Sequence, residues 1–408
     1  MTTGYPVYLD HAATTPVHPE VLAAMLPYFG EVFGNPASGH GFGRRARAAV
    51  EEAREKVGAF LHAAPDEIIF TSGGTEANNL AVKGSAWALR ERGRHLVTTA
   101  VEHQSVLKSG RFLEEQGWRV ALAPVDPTGR VDVQALDALV EPDTVLISVM
   151  HANNEVGTLQ PVREVAALAA RRGILFHVDT VQTAGCEELD VRALGADLVS
   201  LSGHKIYGPK GIGALYVRRG TPLVPLVSGG LQESKRRAGT EDLAAIVGLG
   251  RAVEVAARDR EAVRGKLARL RSLFLRGLLD RVDGVRVNGH PREVLPGHLS
   301  LSFKGLEGRA LAAELDALGV AVATGSACTT GNPRPSHVLL AMGIEPGTAL
   351  GTIRISMGRG TTESEISYLL EVLPPLVERL RATAPPSGGV PAPHTAAVDR
   401  RRASAGKR

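Results

Sequence analysis

The 408-residue chain is too long for one small core, and its length suits two domains in one protomer. Its 44% hydrophobic and 22% charged residues are those of an ordinary globular protein, and no run of about 18 apolar residues predicts a membrane-spanning helix. Only two cysteines are present, Cys186 and Cys328, which excludes a disulfide framework and any structural zinc or iron–sulfur site built from cysteine alone.

The formal net charge of +4 lies entirely in residues 385–408, which carry five basic side chains and one acidic side chain. The rest of the chain is therefore neutral overall, and a basic tail alone is weak evidence for nucleic-acid binding. We expect no direct nucleic-acid partner and no membrane partner. The first residues lack a basic segment followed by an apolar one, so we expect no secretory signal and a cytoplasmic location.

Short apolar runs alternate with helical patterns through the first 240 residues. The predicted strands cover residues 67–70, 95–99, 145–150, 174–179, 197–202 and 213–217, and one predicted helix covers 44–61. Several of these strands are apolar throughout, which is typical of parallel strands covered on both faces. The pattern predicts an α/β fold with a mostly parallel sheet.

After residue 243 the pattern changes to a long helix over 243–281, a second helix over 307–318, and several short strands. We predict a large domain over 15–255 and a smaller α+β domain built from 1–14 and 256–384. Residues 385–408 have no apolar periodicity and are predicted to be a disordered basic tail.

Asp179 and Lys205 follow two successive predicted strands, at the sheet edge where open α/β sheets bind ligands. A pyridoxal-phosphate (PLP) site needs a lysine for a Schiff base and an acid beside the pyridine nitrogen. The two residues supply that pair, although a structural Asp–Lys ion pair explains them equally well.

The segment TSGGTEANN leads from a predicted strand into a predicted helix. Glycines let the backbone approach an anion, and a helix N-terminus offers free N–H groups, so a phosphate fits beside Gly74 and Thr75. A simple tight turn is the alternative.

Three polar side chains follow neighbouring strands. His103 could stack on a cofactor ring and move protons, while Asn154 and Gln182 could hydrogen-bond a cofactor oxygen. Each of them could equally be a structural residue that stabilises a loop.

Eight strings occur in one order along the chain: YLDHAATTP, GNPAS, TSGGTEANNLA, NNEVG, HVDTVQ, SGHKIYGPKG, RAGTED and GSACT. Together they closely resemble the class I cysteine desulfurases of the NifS/IscS type, from Tyr8 to Arg381. The resemblance implies the aspartate-aminotransferase-like type I PLP fold, bound PLP and a homodimer.

The resemblance also implies roles for individual residues. Lys205 would hold PLP, Asp179 would contact the pyridine nitrogen, and His103 would stack on the ring and transfer protons. Asn154 and Gln182 would contact the ring substituents, with Asn154 also near the substrate. The phosphate would be held by Gly74, Thr75, Ser202, His204 and, from the partner subunit, Thr240. Arg354, assisted by Asn35, would bind the substrate carboxylate.

Cys328 lies in TGSACTTGNPRPS, a Gly/Thr/Pro-rich stretch that predicts a mobile loop. A thiol in a polar loop can react, and the resemblance implies that Cys328 receives the sulfur. We expect no resident metal, with Cys328 at most a transient iron–sulfur ligand, and we interpret Cys186 as a small core residue.

These residues predict PLP-dependent removal of sulfur from L-cysteine, giving L-alanine and a persulfide on Cys328. The sulfur would pass to an acceptor protein for iron–sulfur cluster assembly or tRNA thiolation. The alternatives are a selenocysteine lyase, another PLP enzyme of the aminotransferase type, or a non-enzymatic sulfur-carrier or regulatory platform.

Overall fold

The structure is a computed structural model that describes residues 6–324 and 334–383. Its strands are β1 (Val7–Tyr8), β2 (Ile68–Thr71), β3 (His95–Thr99), β4 (Arg119–Ala123), β5 (Thr144–Met150), β6 (Leu175–Asp179), β7 (Leu198–Ser202), β8 (Gly213–Val217), β9 (Val285–Asn288), β10 (His298–Phe303), β11 (Val320–Ala321), β12 (Ala323–Thr324) and β13 (Thr352–Ser356). Its α-helices are α1 (Pro19–Met25), α2 (Gly41–Leu61), α3 (Gly74–Asn79), α4 (Ser85–Leu89), α5 (Gln104–Glu114), α6 (Val133–Ala138), α7 (Val162–Arg172), α8 (Val191–Leu194), α9 (Leu243–Leu279), α10 (Gly308–Ala317), α11 (His337–Ala341), α12 (Pro346–Leu350) and α13 (Glu363–Thr383).

The larger sheet has seven strands in the order β2-β8-β7-β6-β5-β3-β4. The five strands from β7 to β4 in this order run parallel, and β8 is antiparallel to both of its neighbours. All residues of β3, β5, β7 and β8 are buried, because helices cover both faces of the sheet. The predicted mostly parallel α/β sheet is therefore present.

The register of this sheet brings several loop starts together. Asp179, the last residue of β6, is paired with Met150, the last residue of β5, and with Ser200 in β7. The loops that follow β3, β5, β6 and β7 consequently leave the sheet along one edge.

The second sheet contains four antiparallel strands in the order β12-β13-β10-β9. It packs on α10, α13 and the second half of α9 through a separate apolar core that includes Phe274, Leu301 and Ile353. The start of the chain joins this unit, since β1 pairs with β11. The predicted domain boundary at residues 255 and 256 falls inside α9 and stays a prediction.

Across residues 6–324 and 334–383, no helix combines the length and the apolar composition that crossing a lipid bilayer requires.

Candidate active site

A cavity of about 650 Å³ opens at the edge of the large sheet where β6 and β7 end. Its lining brings together ten of the residues that the sequence analysis selected, namely Gly74, Thr75, His103, Asn154, Asp179, Gln182, Ser202, His204, Lys205 and Arg354. They come from six separate segments of the chain, which the fold brings together around one cavity.

Asp179 is buried at the end of β6, with 6% of the residue's surface exposed. Its Oδ2 accepts a hydrogen bond from Asn78 Nδ2 at 2.7 Å, and its Oδ1 accepts one from the Val181 N–H at 2.9 Å. Both donors are neutral, so the carboxylate is oriented without losing its capacity to pair with a cation.

Lys205 follows β7 in a short 3₁₀ turn. Its Nζ donates to the backbone carbonyls of Ala12 and Ala13, at 2.7 Å for Ala13, rather than to Asp179. Burial, and secondly the charge of Arg354, lower the pKa of the Lys205 amine to about 8. The structural ion pair with Asp179 is therefore the weaker interpretation, and the amine is suited to chemistry that needs its neutral form.

The turn before α3 approaches the cavity closely. Gly73 has φ +146°, which favours glycine, and a Cβ on Gly74 would lie 2.7 Å from Val181 Cγ2. Among the described residues no side chain caps the N-terminus of α3. Within the same residues its first N–H groups are therefore free for an anion, and the phosphate role of this turn stays a prediction.

Polar side chains surround the same end of the cavity, namely those of Thr75, Ser202, His204 and Lys210. His204 Nδ1 lies 3.1 Å from Thr14 Oγ1, and burial together with Lys205 and Lys210 lowers its pKa to about 4. The ring is therefore a neutral hydrogen-bonding group at physiological pH.

His103 belongs to a chain of hydrogen bonds that ends at Asp179. Asn78 Nδ2 donates to Ser105 Oγ at 2.8 Å, and Ser105 Oγ lies 2.7 Å from His103 Nδ1. The Ser105 N–H also donates to His103 Nδ1 at 3.1 Å, so Nδ1 is an acceptor and the proton of the neutral ring is on Nε2. Burial lowers the pKa of His103, which favours this neutral form.

Arg354 extends from β13 and lines the cavity, with its side chain 12% exposed. Its Nη1 donates to the Asn154 carbonyl at 2.9 Å, and its Nη2 donates to Asp10 Oδ1 at 2.7 Å. A positively charged planar group here is suited to a ligand carboxylate.

Comparison with known proteins identifies the family to which this chain belongs. The aminotransferase class-V family model matches residues 7–369. Proteins called cysteine desulfurase IscS are 48% identical in Dictyoglomus turgidum, where the alignment covers 93% of this chain and 96% of that one, and 45% identical in Methanosarcina thermophila, with 94% and 95% covered.

Solved structures of NifS-like and SspA proteins are similar to this chain. One described as a NifS-like protein has a TM-score of 0.87 at 39% identity and covers 92% of this chain and all of that one. Another, described as SspA in complex with cysteine, has a TM-score of 0.77 at 36% identity, with 87% and 100% covered.

The chain belongs to the aminotransferase class-V family, among its cysteine desulfurases. The predicted family, the type I PLP fold and the PLP-dependent enzyme are thereby confirmed. The comparisons favour the enzyme over a non-enzymatic platform. The chemical groups of the cavity also suit PLP. They include a lysine, a buried carboxylate that is hydrogen-bonded by neutral donors, and a glycine turn with free N–H groups.

Two predicted residues of this cysteine desulfurase lie outside the cavity lining, and the position of a third is not described. Asn35 is exposed, and its Oδ1 accepts a hydrogen bond from the Ala37 N–H at 2.8 Å, which stabilises a local turn. Thr240 is exposed and also lies outside the cavity lining. Cys328 lies outside the described residues. The roles of these three residues stay predictions.

The second cysteine is buried, as predicted, with 9% of its surface exposed. Burial raises the pKa of the Cys186 thiol to about 12, so it stays protonated and unreactive. Within the described residues, no group of three or more His, Cys, Asp or Glu side chains is arranged to hold a metal ion.

Sequence reasoning missed several residues of the site. Asn78, which links Asp179 to Ser105, lies one helical turn after the glycine turn, and that spacing was the available signal. Lys210 and the backbone of Ala12–Thr14 line the cavity. The motif YLDHAATTP indicated the family, but nothing in it indicated contact with Lys205.

Glu102 was also missed, although it precedes His103. It is fully buried, and its Oε1 accepts hydrogen bonds from Thr99 Oγ1 at 2.7 Å and from the Met150 N–H at 3.0 Å. Burial raises its pKa to about 8. The side chain joins the ends of β3 and β5, and so fixes the two loops that carry His103 and Asn154.

Proposed function

We propose that this cysteine desulfurase takes the sulfur of L-cysteine onto the thiol of Cys328 as a persulfide and releases L-alanine, with the cavity residues in the roles below. The observation that carries the proposal is the convergence of Lys205, Asp179 and Arg354 on one cavity. A lysine amine, a buried carboxylate and a guanidinium are the three groups needed to hold PLP and an amino acid side by side.

Lys205 would hold the cofactor, Asp179 would contact its ring nitrogen, and His103 would lie against its ring. The phosphate would bind Gly74, Thr75, Ser202 and His204, while Asn154 and Gln182 would contact the ring substituents. When bound, PLP supplies an electron sink that stabilises negative charge on the substrate α-carbon. The neutral donors on Asp179 support this arrangement, because they leave its charge for the pyridine nitrogen.

Lys205 would also take the α-proton of the substrate. With a pKa of about 8, a substantial fraction of its amine is neutral near physiological pH and can accept a proton. The Cys328 thiolate then forms a bond to the substrate sulfur as the sulfur–carbon bond breaks. The electron pair of the broken bond stays with the carbon skeleton, which is protonated and leaves as alanine.

Replacing Arg354 with glutamine is expected to raise the KM for L-cysteine by roughly 100-fold, because a bidentate contact between two charged groups is lost. The absorbance of the bound cofactor should remain, since Arg354 is not among the residues proposed to hold the cofactor. Steady-state kinetics and the inhibition constant of L-alanine measure the effect.

Arg379→Gln is a matched control, since Arg379 pairs with Glu314 on an exposed surface. It should leave both constants unchanged. An Arg354→Gln variant with normal KM and normal alanine inhibition would show that another group binds the carboxylate.

We also propose that the enzyme is a homodimer. Large apolar side chains between α1 and the start of α2 are unusually exposed, at 61% for Leu26, 67% for Phe29, 66% for Phe33 and 49% for Phe42. Asn35 lies between Phe33 and Phe42 in the chain, and it is not among the residues that line the cavity around Lys205. A second copy covering this segment would bury the aromatic rings and could receive Asn35 and Thr240 at its own cavity.

Phe29→Glu combined with Phe33→Glu is expected to give a monomer, because two charges would be buried in the proposed interface. Sedimentation equilibrium measures the mass. Leu122→Glu is the matched control: Leu122 is 52% exposed on the outer strand β4, and this variant should keep the mass of the wild type. A double variant that stays dimeric would place the interface elsewhere.

The persulfide sulfur would pass to an acceptor protein, either an iron–sulfur scaffold or a tRNA-thiolation enzyme. The support is the name IscS shared by several relatives, and the need to free Cys328 before the next turnover. A cytoplasmic location agrees with this chemistry, because a free thiolate persists in a reducing compartment.

A further inference from the structure

Arg354 has an anionic partner within the protein itself. Its Nη2 lies 2.7 Å from Asp10 Oδ1, and the two side chains are only 12% and 22% exposed. Partial removal from water strengthens the attraction between these charges relative to a surface pair.

Asp10 is held in place by the strand that carries Arg354. Its backbone forms a parallel bridge with Ser356, two residues along β13 from Arg354. The His11 N–H donates to the Ser356 carbonyl at 3.2 Å, and the Ala12 N–H donates to Ser356 Oγ at 2.8 Å. Alternate residues of a strand lie on the same face, so the pair is fixed by backbone geometry.

The same short segment also holds Lys205. The carbonyls of Ala12 and Ala13 accept from its Nζ, and Tyr8 Oη donates to the Asp10 carbonyl at 3.0 Å. Residues 10–13 therefore contact both Lys205 and Arg354, the two cations that would bind an amino acid. Asp10 is the acidic residue of this segment.

The guanidinium of Arg354 can hold a second carboxylate. It has five N–H groups, of which one goes to Asp10 and one to the Asn154 carbonyl, and a bidentate carboxylate needs two more. The donors are sufficient, but two carboxylates on one guanidinium repel each other. Asp10 must therefore weaken the binding of any carboxylate at Arg354.

We propose that Asp10 is a resident counter-anion of Arg354 that determines how tightly the α-carboxylate of the amino-acid substrate and product binds. The inference rests on the proposed role of Arg354. Asp10 keeps the guanidinium oriented in the free enzyme and limits affinity for the carboxylate. Product release benefits, because L-alanine carries the same carboxylate as L-cysteine.

The test uses the PLP-loaded Asp10→Asn variant, which removes the charge and keeps an acceptor of the same size. Its Kd for L-alanine by calorimetry should fall by about fivefold, because the ligand carboxylate no longer meets a neighbouring anion. The ligand-free variant should melt at a lower temperature than the wild type, and alanine should raise the melting temperature more. Structural damage alone would weaken alanine binding, so the direction separates the two explanations.

Ethylamine, which lacks the carboxylate, should bind the variant and the wild type equally. Glu314→Gln, which removes one negative charge from an exposed pair, should leave the Kd for alanine unchanged. Asp10→Ser also removes the charge and gives a second measurement if the asparagine variant does not fold.

Unchanged or weaker alanine binding in the charge-removing variants overturns the inference. The Arg354→Gln variant shows whether the role of Arg354 or the role of Asp10 is wrong. If it binds alanine as tightly as the wild type, the proposed function of Arg354 is wrong. If it binds alanine weakly while Asp10→Asn binds it normally, Arg354 keeps its role and Asp10 alone is misassigned.

Discussion

Replacing Lys205 with alanine is expected to abolish desulfuration and to remove the visible absorbance of the lysine-bound cofactor. Within residues 6–324 and 334–383, Lys205 Nζ donates to the carbonyls of Ala12 and Ala13 and forms no ion pair, so its loss removes no charge pairing from that part of the fold. The protein should therefore remain folded, with a circular dichroism spectrum like that of the wild type. Absorbance spectra and alanine release from L-cysteine measure the two losses.

Lys210→Ala is the matched control, because Lys210 is a second lysine that lines the cavity. This variant should keep the cofactor band. A Lys205→Ala enzyme that kept its band, together with a Lys210→Ala enzyme that lost it, would move the cofactor assignment to Lys210.

Replacing Cys328 with serine is expected to lower alanine formation by on the order of 10³-fold or more, the scale of removing a catalytic nucleophile. A hydroxyl stays protonated at neutral pH and attacks sulfur poorly, whereas a thiolate attacks it well. The variant should still bind PLP and still change its absorbance when L-cysteine is added. Alanine release and transfer of labelled sulfur to the protein report the step that is lost.

Cys186→Ala provides the comparison, since the Cys186 thiol is buried and its pKa is raised to about 12. This variant should turn over and carry labelled sulfur like the wild type. If Cys328→Ser produced alanine at the normal rate, the persulfide would have to form elsewhere or not at all.

The strands that carry the site could be predicted closely from the sequence. Residues 95–99 and 213–217 were predicted with the observed bounds, and the strand that ends at Asp179 differs only at its start. These strands are buried on both faces, so continuous apolar runs identify them. Because parallel strands place their carboxyl ends together, Asp179 and Lys205 could be grouped before any coordinates were known.

β4 was missed for the opposite reason. It lies at the edge of the sheet, and only Ala123 of its five residues is buried. Its sequence has a run of only four apolar residues after Arg119, and two of them are alanines, which are depleted in strands. The antiparallel direction of β8 was also not predicted, although the link over residues 203–212 is shorter than the crossover of about a dozen residues that neighbouring parallel strands need.

The contacts that orient the site depend on distant packing. Asn78 is an uncharged amide, and its contact with Asp179 exists only because α3 packs beside the end of β6. Asp10 and Arg354 are 344 residues apart in sequence. No local pattern contains such a pair, so the family resemblance located Arg354 while the partner of its guanidinium required the structure.

The bridge between Asp10 and Ser356 has a consequence for synthesis of the chain. During synthesis Asp10 leaves the ribosome 344 residues before Arg354, which lies in β13. The large sheet can form from residues 68–217 earlier, yet the segment that contacts Lys205 gains its support from β13 only when residue 356 has left the exit tunnel. A nascent chain that has not yet reached residue 356 therefore contains Lys205 and the glycine turn, but its substrate-binding residues are not yet assembled. Substrate binding therefore begins only after residue 356 has been synthesised.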